Sequence, residues 1–177
     1  MGPHIIAIAI GLILDRIIGD PPSWPHPVKF IGKLITKLTG WLNKGRARKA
    51  KGVLLVIIVV GITFFATLAI LIGAYSVHIW VGIAVESILI ASGLAQKSLK
   101  VAAMDVYKPL VAKDLPSARQ KLSWIVGRDT EKLNEQEITR GVVETVSENI
   151  SDGITAPLFY AFVFAGAPGL WLYKAIN

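Results

Sequence analysis

Arg140, Glu144, Glu148 and Asp152 recur at steps of four. On a helix such residues share one face, so three carboxylates stack in a row, with Asn149 beside them and Gly153 after. Like charges at that spacing repel weakly, a cost that a divalent cation or an ordered cationic ligand reverses. Mg²⁺ prefers one or two carboxylates completed by water and phosphate oxygens, which such a row offers. The same residues would also serve as a solvated face in which Arg140 pairs with Glu144. Location favours chemistry: the row ends at the entry to an apolar run, where an idle acidic cluster gains nothing from lipid head groups.

Three further places hold reactive side chains. Asp15-Arg-Ile-Ile-Gly-Asp20-Pro-Pro-Ser-Trp-Pro-His26-Pro-Val packs four prolines into seven residues, which stiffens an extended backbone from which Asp20 and His26 project. Its plainer reading is a helix terminator with Trp24 as an interfacial aromatic and His26 solvated. Gly127-Arg128-Asp129-Thr130 is an interhelical turn whose arginine can grip phosphate or carboxylate in bidentate fashion. It also fits a C-cap glycine followed by an Asp or Thr N-cap. Glu86, inside an apolar run, is either a proton or ion relay or a carboxylate hydrogen-bonded within a bundle, with Ser87 and Ser92 near in sequence.

Several chemistries are excluded. The chain has no cysteine, and His4, His26 and His78 lack paired spacing, so zinc and thiolate sites have no ligands. Neither a Walker loop nor a Rossmann glycine turn occurs, so any nucleotide must bind in another way.

The elements that must position these residues belong to a membrane. Of 177 residues 53% are hydrophobic and 18% charged, the mean hydropathy is +0.57, and the apolar residues lie in runs. The run 52–74 has no charge and would span about 34 Å as a helix. The run 76–95 follows after a short turn, completing a hairpin. Segment 154–173 is uncharged but carries Pro157, Gly166, Pro168 and Gly169, so a kinked, re-entrant or laterally buried helix is expected there. Segment 5–18 reads as a short first span, because Asp15 and Arg16 stand where a signal peptide would need a small uncharged cleavage site. The reading is therefore all-α: one polytopic membrane helix bundle over 1–177 with about four spans.

Charge placement orients the bundle. The net charge is +7, and seventeen of nineteen Lys and Arg fall between Asp20 and Lys51 or between Lys97 and Arg140. With four spans both loops lie on one side, which the positive-inside rule makes cytoplasmic, and the expected location is the cell membrane. This accounts for the basic charge without nucleic acid. The run Arg46 to Lys51 reads as an anchor to anionic head groups of the lipid bilayer. The loop over 97–153 balances nine cations with nine anions and reads as three helices. The first is 97–112, ending near Pro109 or shortly after. The second is 115–126, capped by Asp114 and stopped by Gly127. The third runs to about Ile150 behind an Asn134 and Glu137 capping box.

Four motifs in order carry a family resemblance: Gly19-Asp-Pro-Pro with Pro25-His-Pro-Val and Gly32; Ile125-Val-Gly-Arg-Asp-Thr130; Glu144-Thr-Val-Ser-Glu-Asn149 with Ser151-Asp-Gly; and Ala156-Pro-Leu-Phe-Tyr160. Together they resemble the CobD/CbiB family of cobalamin biosynthesis across nearly the whole chain. Members of that family run to roughly twice this length, so the chain is expected to be an N-terminal fragment whose missing half, with further spans, is needed for activity. The resemblance implies a membrane ligase that forms a C–N bond. It would join a corrinoid, adenosylcobyric acid, to aminopropanol or its phosphate, using ATP and Mg²⁺. On that reading Glu144, Glu148 and Asp152 are catalytic, with Glu144 and Glu148 as Mg²⁺ ligands. Asp20, His26, Arg128, Asp129 and Asn149 bind substrate, Arg128 at phosphate. The alternatives are a non-catalytic membrane sensor or scaffold and a transporter using Glu86.

Overall fold

The computed structural model describes residues 2–19 and 26–177, and every regular element among them is helical. In order they are α1 (Gly2–Ile17), α2 (Pro27–Leu42), α3 (Arg48–Val77), α4 (Ile79–Ala91), α5 (Gln96–Val111), α6 (Leu115–Ser123), α7 (Glu135–Ile150), a π turn (Ser151–Thr155), α8 (Ala156–Val163) and α9 (Ala167–Ile176). Among the described residues two stretches are long and apolar enough to cross a membrane, Arg48–Val77 and Ile79–Val111. The second is bent at 92–95, between α4 and α5.

The hairpin expected from 52–74 and 76–95 is present, with its turn at His78 rather than near residue 75. His78 is extended, and its Nδ1 accepts the Trp80 N–H at 3.3 Å, so it caps α4. Segment 5–18 lies in α1, whose 16 residues reach about 24 Å. Segment 154–173 is not one span. Ala165 and Gly166 take positive φ angles of 58° and 79°, which reverses the chain. The result is two short helices of 8 and 10 residues packed on each other. Pro168 is not a kink, since it stands in the first turn of α9, where a missing N–H costs nothing, whereas Pro157 directly follows the π turn that joins α7 to α8 without a break.

The bundle of α1, α3, α4 and α9 closes on Ile8, Leu71, Ile83, Ile90, Leu170 and Trp171. A Cβ at Gly11 would lie 2.7 Å from Ile90, so glycine there lets α1 and α4 approach backbone to backbone. A second, smaller core of Val106, Ala118, Leu122 and Ile138 joins α5, α6 and α7. Burying Leu122 and Ile138 completely contributes about 1.5–3 kcal/mol each.

Polar links tie the two parts at the bend. Asp15 Oδ2 accepts the Gln96 N–H at 2.8 Å, and Lys97 Nζ donates to the Ile17 and Ile18 carbonyls at 2.8 and 2.9 Å. The lysine thereby satisfies carbonyls that the end of α1 leaves open. Gly153 of the π turn lies against Ala95. The end of α1, the start of α5 and the far end of α7 therefore meet at one level.

The amphipathic loop helices match their sequence reading closely, with one correction. α5 ends at Val111, shortly after Pro109, as expected. α6 ends at Ser123, short of Val126, and Gly127 does not cap it: the C-cap is Trp124 in a right-handed conformation.

Candidate functional site

α7 starts where its caps dictate. Asn134 Oδ1 accepts the Glu137 N–H at 3.0 Å while Glu137 Oε2 accepts the Asn134 N–H at 2.7 Å. From that start Arg140, Glu144 and Glu148 follow down one face. Arg140 Nε donates to Glu144 Oε1 at 2.6 Å, and Arg128 Nη2, from the loop before α7, donates to Glu144 Oε2 at 3.2 Å. Arg140 chiefly, then Arg128, holds the Glu144 carboxyl below the usual carboxylate range. Gly141 makes this possible: a Cβ there would meet Arg128 Nη2 at 2.9 Å.

The turn carrying Arg128 is tightly folded. Asp129 Oδ1 accepts the Glu131 N–H at 2.9 Å, an Asx turn rather than a helix cap. Buried Thr130 donates its hydroxyl to the Arg119 carbonyl at 2.9 Å, and Arg119 Nε donates to the Leu133 carbonyl at 2.8 Å. A polar pocket of about 450 Å³ opens here between Arg119, Gln120, Arg128, Asp129, Thr130 and Glu131.

Eight residues beyond Glu144, about 12 Å along the axis, Asp152 stands in the π turn. π turns occur often at functional sites. Asp152 Oδ1 accepts the Tyr173 hydroxyl at 3.2 Å, and its backbone carbonyl accepts Lys174 Nζ at 3.3 Å. Glu148, one turn earlier, is exposed, and its side chain makes no hydrogen bond or ion pair among the described residues. Asn149 Nδ2 donates to the Thr145 carbonyl of its own helix at 2.8 Å.

His26 caps α2, its Nδ1 accepting the Val28 N–H at 3.2 Å, and its ring meets Trp171 edge-on at 6.4 Å. Asp20 lies outside the described residues. α9 thus links the proposed residues: Trp171 carries His26, while Tyr173 and Lys174 hold Asp152. The site falls into three parts, an arginine-clamped Glu144, the Glu148 to Asp152 end of α7, and His26 across α9.

Among the described residues no group of three or more His, Asp or Glu side chains converges as a metal cage. Both Glu144 oxygens are already spent on guanidinium groups. Glu148 fits better, as one carboxylate that could share an ion with substrate phosphate.

Residues 8–177 match the family model described as CobD/Cbib protein. The chain belongs to the CobD/CbiB family. It is 52% identical over 174 residues to "Cobalamin biosynthesis protein CobD" of Halalkalibacterium halodurans, covering 98% of this chain and 54% of that protein. It is 47% identical over 177 residues to "Cobalamin biosynthesis protein CbiB" of Salmonella arizonae, and 44% identical over 177 residues to the CobD protein of Citrobacter koseri. Each of these matches covers 98% of this chain and 55% of the relative. The chain therefore spans about half the length of the curated CobD/CbiB relatives it matches. No solved structure matches.

The CobD/CbiB chain also places residues together that sequence reasoning did not. Glu86 is fully buried, but neither Ser87 nor Ser92 is its partner: those hydroxyls donate to the Ile83 and Leu89 carbonyls. The Tyr75 hydroxyl donates to Glu86 Oε2 at 2.6 Å, His4 Nδ1 sits 2.9 Å from both oxygens, and the Ala167 N–H donates to Oε1 at 3.2 Å. Tyr173, Lys174 and Gly141 carried no motif and were also missed. Their only sequence signal is that polar or small residues interrupt otherwise regular patterns.

Proposed function

We propose that this chain contributes to cobalamin biosynthesis as part of a longer membrane ligase. That ligase forms an amide between one corrin propionate of adenosylcobyric acid and the amine of aminopropanol or its phosphate. The proposed setting is the cell membrane, with the α5–α7 segment and the His26 segment on the cytoplasmic side. Family membership and the cobalamin biosynthesis names of the relatives support the pathway. One observation supports the chemistry: beside α7 the Arg128 guanidinium, held by Glu144, stands at a position one turn before Glu148 and two turns before Asp152.

A carboxylate is a poor acyl donor. ATP with Mg²⁺ would supply a phosphoryl group to the propionate oxygen, releasing ADP and leaving a carbonyl carbon that the amine nitrogen attacks as inorganic phosphate departs. In this scheme Arg128 holds phosphate oxygens in the pocket beside Asp129. Glu144 is assigned to aiming that guanidinium. Glu148 would hold Mg²⁺, which would offset the charge on phosphate oxygens. Asp152, oriented by the Tyr173 hydroxyl, takes the proton that the ammonium must lose before attack. Asn149, His26 and Asp20 are assigned to the corrinoid side chains and the amino alcohol. A transporter based on Glu86 has less support, since the groups around its carboxylate are protein donors that join helices.

The test is amide formation by the complete protein in membranes supplied with corrinoid, amine and ATP. Glu148→Gln and Arg128→Lys should each lower turnover about 10²-fold without loss of the protein from the membrane. Unchanged turnover in both would remove Glu148 and Arg128 from the site.

A further inference from the structure

The basic segment before α3 is built differently from a simple surface anchor. α2 has no buried residue, and between residues 21 and 85 the chain has eight Lys and Arg and no Asp or Glu. α2 turns back along α3. Phe30, Ile31 and Leu34 face Ile62, Ala66 and Ile70 across an apolar groove of about 340 Å³, with Trp171 also lining it. The two helices thus run antiparallel, and the groove follows about 12 Å of α3.

One edge of that groove is charged. Lys33 Nζ stands 5.9 Å from the centre of the Phe30 ring, and Lys37 Nζ 5.3 Å from that of Trp41. At positions 30, 33, 37 and 41 these four residues share one edge of the helix, and Phe30 belongs both to it and to the groove wall. Neither lysine pairs with a carboxylate among the described residues. Alternating aromatic rings and long cationic side chains suit the depth where acyl chains give way to head groups.

We propose that the α2–α3 groove binds one anionic phospholipid, an acyl chain lying against Ile31, Ala66 and Trp171 and the phosphate meeting Lys33 and Lys37. Hydrocarbon burial supplies the hold and the two ammonium groups select the charge. α2 is thereby a lipid-reading element of the protein. The basic run from Arg46 to Lys51 supplies only general attraction.

Native mass spectrometry of the complete protein purified in mild detergent, titrated with phosphatidylglycerol or phosphatidylcholine, tests this. The unaltered chain should keep one phosphatidylglycerol in preference to phosphatidylcholine. Lys33→Gln with Lys37→Gln should abolish the preference, a loss of about fivefold per lysine. Ala66→Phe, which fills the groove, should lower retention of both lipids. Arg46→Gln with Lys49→Gln should leave the preference intact. Circular dichroism checks that each variant is folded, and the lysines and Ala66 are exposed, so helix content should not change. Equal retention of the two lipids by the unaltered chain overturns the proposal. So does a preference lost with the Arg46 and Lys49 changes but kept without Lys33 and Lys37, or retention indifferent to Ala66→Phe. A lipid-free dimer would likewise overturn it, by assigning the groove to a second copy.

Discussion

Glu86 Oε1 accepts the N–H of Ala167 across 81 positions of sequence, so a fully buried carboxylate of α4 closes the N-terminus of α9. An oxygen acceptor at that end satisfies one of the open N–H groups of the helix. His4 from α1 and Tyr75 from α3 meet the same carboxylate. Four helices are therefore joined at one side chain, and α9 in turn carries Trp171, Tyr173 and Lys174 to the candidate site.

Replacing Glu86 by Leu leaves the half-buried Tyr75 and His4 side chains and the buried Ala167 N–H without their acceptor, at about 1–3 kcal/mol for the buried N–H alone. The thermal midpoint in detergent should fall sharply. Glu86→Gln, which keeps acceptor capacity, should lose less. Equal losses would mean that shape, not hydrogen bonding, is what the position supplies.

Gly166 has φ of 79°, and a Cβ there would overlap Glu86 Oε1. Gly166→Ala should therefore mimic much of the Glu86→Leu loss, whereas Gly45→Ala, also at positive φ but in open space, should cost no more than about 1 kcal/mol. Comparing the two midpoints separates steric overlap from backbone strain.

Glu144 gives a pH signature. Its carboxyl is held below its ordinary value of 4.5 by Arg140 and then Arg128. A depressed folded-state value stabilises above the unfolded value, and that stabilisation disappears as pH falls through the folded one. The difference in thermal midpoint between the native chain and Glu144→Gln should be constant at neutral pH and shrink once the pH drops below about 4.5. Arg140→Ala should weaken that dependence more than Arg128→Ala.

Tyr173→Phe removes one hydrogen bond to Asp152 and should reduce amide formation by the complete protein up to about tenfold, the equivalent of about 0.5–1.5 kcal/mol. Its pH–rate profile should shift with it. A purely structural tyrosine would lower the yield of folded protein and leave the profile in place.

Gly61 lies inside α3, where a lysine opposes insertion by about 2.5–3.5 kcal/mol on the translocon scale. Gly61→Lys should move the chain out of the membrane fraction, and normal fractionation would remove α3 from the list of spans.

What the sequence alone determined is local. Asp114, Asn134 and Glu137 set the starts of α6 and α7, because a cap is made by side chains a few residues from the N–H groups they satisfy. The uncharged run of α3 announced a membrane helix, since hydrocarbon length and residue rise are the only terms involved. The four motifs were enough to reach the family. Tertiary structure alone decided the partners: Arg128 crosses to Glu144 over Gly141, Asp152 receives Tyr173, and Glu86 ignores its neighbouring serines for His4, Tyr75 and Ala167. It also broke 154–173 in two. Composition there favours a span, but the reversal at Ala165 and Gly166 is stabilised by a carboxylate some eighty residues away, and a hydrogen bond of that reach leaves no periodic trace in the chain.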